Sequence, residues 1–72
     1  PNPVKEVLNV ELPSGNETYR YELYSMDGRL LQQGKLDATH NQIKVVKGLS
    51  GLCVLKVIGE REVVAFKVTI ES

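Results

Sequence analysis

Apolar and polar residues alternate along most of this chain, which is the periodicity of half-buried β-strands. In residues 18–25, for example, Tyr19, Tyr21 and Leu23 form one apolar face, and mostly polar residues stand between them. Residues 52–58 are apolar on both faces except at Lys56, which predicts a strand in the centre of a sheet. The alternation predicts strands over residues 8–12, 18–25, 29–36, 43–46, 52–58 and 63–70.

The segments between these strands are rich in residues that favour turns. Residues 13–16, 47–51 and 59–62 are predicted turns, and the polar residues 37–41 are a predicted loop. Asp27-Gly28 predicts a two-residue hairpin with a type I′ turn, which needs positive φ at both central positions. Gly34 interrupts a predicted strand and indicates a β-bulge there.

The beginning of the chain has two interpretations. Val4, Val7, Leu8 and Leu12 fit helical spacing, and a proline at the start suits a helix N-terminus. The alternation of Leu8, Val10 and Leu12 fits a strand equally well.

Short strands at roughly 8–12-residue spacing, about six or seven in all, indicate an all-β antiparallel sandwich or barrel. The 72 residues, 1–72, form one domain, with no Pro/Gly linker inside it. A chain this short buries only about 60% of its unfolded surface, so we expect a stability of roughly 3–5 kcal/mol. The expected core contains Leu8, Val10, Tyr21, Leu23, Ile43, Val45, Cys53, Leu55, Val57, Phe66 and Val68.

Charge and hydropathy argue against several classes of partner. Nine basic and nine acidic residues cancel, so the chain lacks the basic footprint of a nucleic-acid binder. No cluster of Lys and Arg suggests a membrane surface. The apolar runs are only a few residues long, whereas a transmembrane helix needs about 20.

Candidate catalytic and metal-binding residues are few. Cys53 and His40 could form a nucleophile–base pair, but Cys53 stands at an apolar mid-strand position, where a thiol is usually inert packing. A metal site needs three or four converging ligands, and one His and one Cys fall short of that. The residues therefore predict no enzyme, no cofactor and no metal site.

Three short elements, in order and spanning nearly the whole chain, resemble the C-terminal sorting domain of type IX secretion cargo from Bacteroidetes. The first is a Pro-Asn-Pro element, the second a strand followed by a glycine turn, and the third a Leu-Ser-Gly element followed by alternating apolar residues. Two details depart from the family pattern: Ser50 stands alone where the family often has two serines, and Cys53 replaces the usual Tyr. The residues that carry the resemblance are Pro1, Asn2, Pro3, Tyr21, Leu23, Asp27, Gly28, Gly51, Cys53, Leu55 and Lys67.

The resemblance implies an immunoglobulin-like β-sandwich at the C-terminus of a larger exported protein, and it favours a strand at the start of the chain. Its implied partners are an upstream cargo domain, the components of the type IX translocon and a sortase-like cysteine protease that removes the domain at the cell surface. The cargo is then outer-membrane attached or extracellular. The start at Pro1 instead of Met fits a fragment or a processed product.

The sequence is compatible with two further hypotheses. A small sandwich of this kind can also be an accessory binding or adhesion module of an extracellular enzyme, because fold alone does not fix function. Open sandwiches leave unpaired edge strands, so a homodimer through the first or last strand is also possible.

Overall fold

The structure, a computed structural model, describes residues 7–12, 18–36, 39–46, 48–49 and 51–70. These residues form strands, turns and loops and no helix, which confirms the all-β prediction. The strands are β1 (Val7–Glu11), β2 (Tyr19–Ser25), β3 (Leu30–Leu36), β4 (His40–Lys44), β5 (Gly51–Ile58) and β6 (Val63–Ile70).

The strands form two antiparallel sheets in a small sandwich-like arrangement. The larger sheet has the order β3-β2-β5-β6, and the smaller sheet pairs β1 with β4. β5 lies between β2 and β6, so the prediction of a central strand for this apolar segment is confirmed. β3 and β6 are the two edges of the larger sheet.

The core forms where the inward faces of the two sheets meet. In the larger sheet Leu23 of β2 lies opposite Leu55 of β5, and Tyr21 lies opposite Val57. Leu23 is fully buried. Most of the predicted core is confirmed, with Leu8 and Val68 only partly buried. The buried residues are Val10, Tyr19, Tyr21, Leu23, Leu36, Ile43, Val45, Cys53, Leu55, Val57 and Ile70.

Phe66 was wrongly assigned to the core. It pairs with the buried Leu55 and therefore points to the core side of the sheet, yet it is 49% exposed. Phe66 lies on the edge strand β6, and among the described residues the smaller sheet has two strands where the larger sheet has four. Alternation predicts which side a residue faces, but it does not predict whether a second layer reaches that far.

The β2–β3 hairpin does not have the predicted type I′ turn. Gly28 has a φ of 91°, but no other residue of the turn has a positive φ. Gly28 N donates to Ser25 O at 3.0 Å, and Ser25 N donates to Arg29 O at 2.9 Å. This is a three-residue loop in which a turn is followed by a left-handed glycine. The sequence Met26-Asp27-Gly28 allows it, since only the last residue needs positive φ.

The predicted bulge at Gly34 is also misplaced. Gly34 pairs regularly with Tyr21, and the register shift lies two residues further along β2, between Leu23 and Tyr24. Gly34 serves a different purpose, because a Cβ built on it would lie 2.8 Å from Cε1 of Tyr21. The glycine therefore makes room for the Tyr21 ring.

Three further predictions of strands, loops and turns can be compared with the structure. Residues 7–11 form a strand, so the helical interpretation is wrong for the described part of the N-terminal segment. The predicted loop 37–41 was too long, because β4 begins at His40, which pairs with Glu11. The turn between β5 and β6 is confirmed by a bond from Gly59 N to Glu62 O at 2.8 Å. Predictions on residues 1–6, 13–17, 37–38, 47 and 50 lie outside the described residues.

A single glutamine joins the two sheets at one end of the sandwich. The Gln32 side chain of β3 accepts from Val46 N and donates to Lys44 O, both at 3.0 Å. Its amide nitrogen also lies 3.0 Å from the hydroxyl of Tyr21, to which it donates. These bonds fix β4 near β3.

We expect Cys53 to react slowly with thiol reagents until the domain unfolds. Its side chain is only 3% exposed, and its weak contact is to Gly51 O at 3.9 Å. A thiol this deep has little access to a reagent. Labelling followed by mass spectrometry, with and without urea, measures the difference. The variant Val63→Cys, at a site 59% exposed, supplies a fast-reacting control. Equal native rates at the two positions would contradict the burial of Cys53.

Candidate recognition surface

The second and third sequence elements meet in the centre of the larger sheet. β2 carries Tyr21 and Leu23, and β5 carries Cys53 and Leu55, and the two strands pair directly. All four side chains point inward and are buried. These residues therefore build the core and are not accessible to a partner of the folded domain.

The remaining described residues of the signature lie at the surface. Gly51 has a φ of 98° and begins β5, while Gly28 closes the β2–β3 hairpin. Asp27 in that hairpin accepts a short hydrogen bond from the Ser25 hydroxyl, which lowers the pKa of the Asp27 carboxyl. Lys67 lies on the outer side of β6, opposite Val54. Pro1, Asn2 and Pro3 lie outside the described residues.

The outer face of the larger sheet carries a polar network along β2. Glu22 accepts from the Tyr24 hydroxyl and from Arg20 Nη1, each at 2.6 Å. Both bonds favour the carboxylate, so they lower the pKa of Glu22, with the Tyr24 bond the larger cause. The same bond raises the pKa of Tyr24, because the phenolate would face a carboxylate. Lys56 Nζ lies 5.0 Å from the centre of the Tyr24 ring.

We expect the domain to lose stability in acid because Glu22 becomes protonated. Its pKa is lowered on folding, so its contribution is present above the ordinary value near 4.5 and is lost as pH falls through the lower folded value. Urea unfolding at pH 6 and pH 3 should show a smaller loss for Glu22→Gln than for the original chain. Glu62→Gln, which removes an exposed carboxyl in the β5–β6 turn, is the control for the change in net charge. An unchanged pH dependence in Glu22→Gln would refute this assignment.

The exposed apolar surface of β6 is the feature that the sequence analysis missed. It is an eight-residue edge strand, among the longest in the structure, and Lys67 is its only charged residue. On its core side Val64 is 40% exposed and Phe66 49%, and on its outer side Val63 is 59% exposed. Natural edge strands are usually shortened or carry several charges, which prevents unwanted pairing. β6 has neither protection and is suited to receive another strand or an apolar surface.

The candidate catalytic pair is not brought together. Cys53 points into the core from β5, whereas His40 lies on the outer side of the smaller sheet, opposite Glu11. His40 Nδ1 is 3.3 Å from Glu11 Oε2, and both side chains are largely exposed. Within the described ranges no group of three His, Cys, Asp or Glu could hold a metal ion. An open cleft of about 760 Å³ lies on this sheet, lined by Asn9, Val10, Glu11, His40, Asn41 and Gln42.

The family model for the secretion system C-terminal sorting domain matches residues 1–71. The chain belongs to this family. The sorting domain also has the all-β fold that the resemblance implied. No curated protein and no solved structure matches it significantly. Among the described residues of the sorting domain, no helix is long and apolar enough to cross a membrane.

Proposed function

We propose that this sorting domain, residues 1–72, is the C-terminal part of a larger exported protein. The type IX translocon recognises the domain, and a sortase-like cysteine protease at the cell surface then removes it. The family match over residues 1–71 is the observation that carries this proposal. Membership of this family supports a function as the C-terminal sorting signal of a secreted cargo protein. The domain acts as a ligand of the export machinery and has no active site of its own.

The positions of the signature residues favour recognition of the folded shape. Tyr21, Leu23, Cys53 and Leu55 are buried, so a partner of the folded domain cannot read them directly. They instead determine the pairing of β2 with β5, and this pairing presents β6 at the edge of the sheet. The signature and the contact surface are therefore different sets of residues.

The contact surface that we assign to the translocon is the core side of β6, formed by Val64 and Phe66. These two side chains lie beside the buried Val57 and Leu55 but have no described layer above them. Burying a phenylalanine that is half exposed contributes about 1 kcal/mol at the usual coefficient for apolar area. A strand added at the edge gains backbone hydrogen bonds as well. A second copy of the domain is the competing occupant of this edge.

Deletion of residues 66–72 should leave the cargo in the periplasm of a type IX host. The deletion removes most of β6 and with it both the edge and part of the core, including the buried Ile70. The measurement is the fraction of cargo at the surface and in the periplasm. Normal surface delivery after this deletion would contradict the proposed function itself.

Point variants then separate the contact surface from the fold. Phe66→Gln should fold, because the residue is half exposed, but it should be exported poorly. Val63→Gln is the matched control, since it lies on the same strand, faces the outer side and is more exposed. Circular dichroism verifies folding, and light scattering reports any homodimer in both variants. Equal export of the two variants would refute the assigned surface and leave the sorting function intact.

The alternative of an accessory binding module is favoured by one observation, the open polar cleft on the β1–β4 sheet. Its amide, imidazole and carboxylate groups are of the kinds that orient small polar ligands. The same export assay separates the two functions. A module that binds a ligand through this cleft would lose binding in Gln42→Ala without loss of export.

A further inference from the structure

The outer face of the larger sheet carries a net positive charge, although the whole chain is neutral. Its strand residues carry four cations and one carboxylate, Glu22, for a net charge of +3. We call the four cations the cationic face; they are Arg20, Lys35, Lys56 and Lys67. They come from four different strands that lie about 4.8 Å apart, so the sheet pairing creates this patch.

The single carboxylate of this face cannot neutralise it. Glu22 is already bound by Arg20 Nη1 and by the Tyr24 hydroxyl, at 2.6 Å each. Among the described residues, no carboxylate lies within ion-pair distance of Lys35 or Lys67. The positive charge on these lysines therefore remains available to an external anion.

One pair in the patch is unfavourable for the isolated domain. Arg20 of β2 and Lys35 of β3 stand directly opposite each other in the antiparallel ladder. Like charges in directly opposed positions destabilise a sheet, because their side chains emerge within about 5 Å. An anionic partner that lies over both side chains would remove this repulsion.

Apolar side chains accompany the cations on the same face. Leu52 is 45% exposed and Val63 is 59% exposed, and Val54 and Ile58 are half-buried between them. Three of the four cations are lysines, which are depleted at protein–protein interfaces but are ordinary at anionic lipid surfaces. Long lysine stems can also lie along apolar surface while their charged ends reach lipid headgroups.

We propose that this cationic face docks the domain on an anionic lipid surface, with the apolar side chains of β5 and β6 at the lipid interface. The proposal does not depend on the assigned function of β6 in export. Each lysine or arginine close to such a surface adds about a fivefold factor in affinity. Three uncompensated charges give reversible binding that salt weakens.

The test measures binding of the 72-residue chain to vesicles by flotation at low ionic strength. We expect binding to vesicles of phosphatidylcholine with phosphatidylglycerol and little binding to phosphatidylcholine alone. Lys35→Glu changes the face by two charges and should weaken binding roughly 30-fold. The same variant should melt at a higher temperature, because it places a carboxylate opposite Arg20. The loss of binding then cannot be attributed to unfolding.

Lys44→Glu is the matched control, because it makes the same change in net charge on the outer side of the smaller sheet. We expect it to keep most of the binding. Equal losses in the two variants would show attraction by net charge alone and overturn the proposal, as would equal binding to both kinds of vesicle. Binding to soluble polyglutamate without binding to vesicles would assign the face to an acidic protein and overturn the lipid surface.

Discussion

Leu23→Ala is expected to unfold the domain at room temperature. Leu23 is fully buried on β2, between β3 and β5, and lies opposite Leu55. Removing a buried leucine side chain costs about 2–5 kcal/mol, through lost burial and the cavity that remains. That cost is similar to the whole stability expected of a 72-residue domain, roughly 3–5 kcal/mol. Circular dichroism and urea titration should show a largely unfolded chain.

Leu30→Ala is the control for this experiment. Leu30 lies opposite Tyr24 at the start of β3 and is 43% exposed, so its truncation leaves little cavity. We expect a change within about 1 kcal/mol, as for most surface substitutions. If the shape of the domain is the sorting signal, Leu23→Ala abolishes export and Leu30→Ala does not. A stable, exported Leu23→Ala domain would show that the β2–β5 pairing does not determine recognition.

The strands and the core were predictable because period-two alternation reports directly on which residues share a face. β6 has the bounds that the alternation gives, Val63–Ile70, and Cys53, Leu55 and Val57 are buried together. The family signature reports on the same property, since its described apolar members stand in β2 and β5. Pattern and signature thus both identify the centre of the sheet.

The properties of the surface were not predictable because they depend on which strands become neighbours. The four residues of the cationic face are far apart along the chain, so no local run of charge predicts this face. They are Arg20, Lys35, Lys56 and Lys67. Phe66 looks like a core residue by pattern but is 49% exposed on the edge strand β6. Sheet order is a long-range property that the local pattern does not specify.

The β2–β3 hairpin was predicted correctly, but the length of its loop and the role of Gly34 were not. Asp27-Gly28 correctly indicated a hairpin, and Gly28 has the positive φ that was expected. The loop contains one residue more than predicted, since its first residue is Met26. The glycine at position 34 looked like the same kind of conformational signal, but its role is steric.

Gly34→Ala is therefore expected to destabilise the domain by about 1–3 kcal/mol, which is the usual cost of overpacking a core. The added Cβ would lie 2.8 Å from Cε1 of Tyr21, closer than carbon atoms can approach without movement. The ring has little freedom to move away, because it is 8% exposed and its hydroxyl accepts a hydrogen bond from Gln32. Urea unfolding of the variant measures the effect.

A double-mutant cycle separates this clash from an effect on the backbone of Gly34. In the background of Tyr21→Leu, which lacks the ring, Gly34→Ala should be neutral or stabilising, since alanine restricts the unfolded chain more than glycine does. Gly28→Ala is the control glycine, because its site is open but its φ of 91° is unfavourable for alanine. The destabilisation caused by Gly28→Ala should be the same whether Tyr21 is retained or replaced by leucine. If Gly34→Ala is equally costly in both backgrounds, the Tyr21 ring is not the reason for a glycine at position 34.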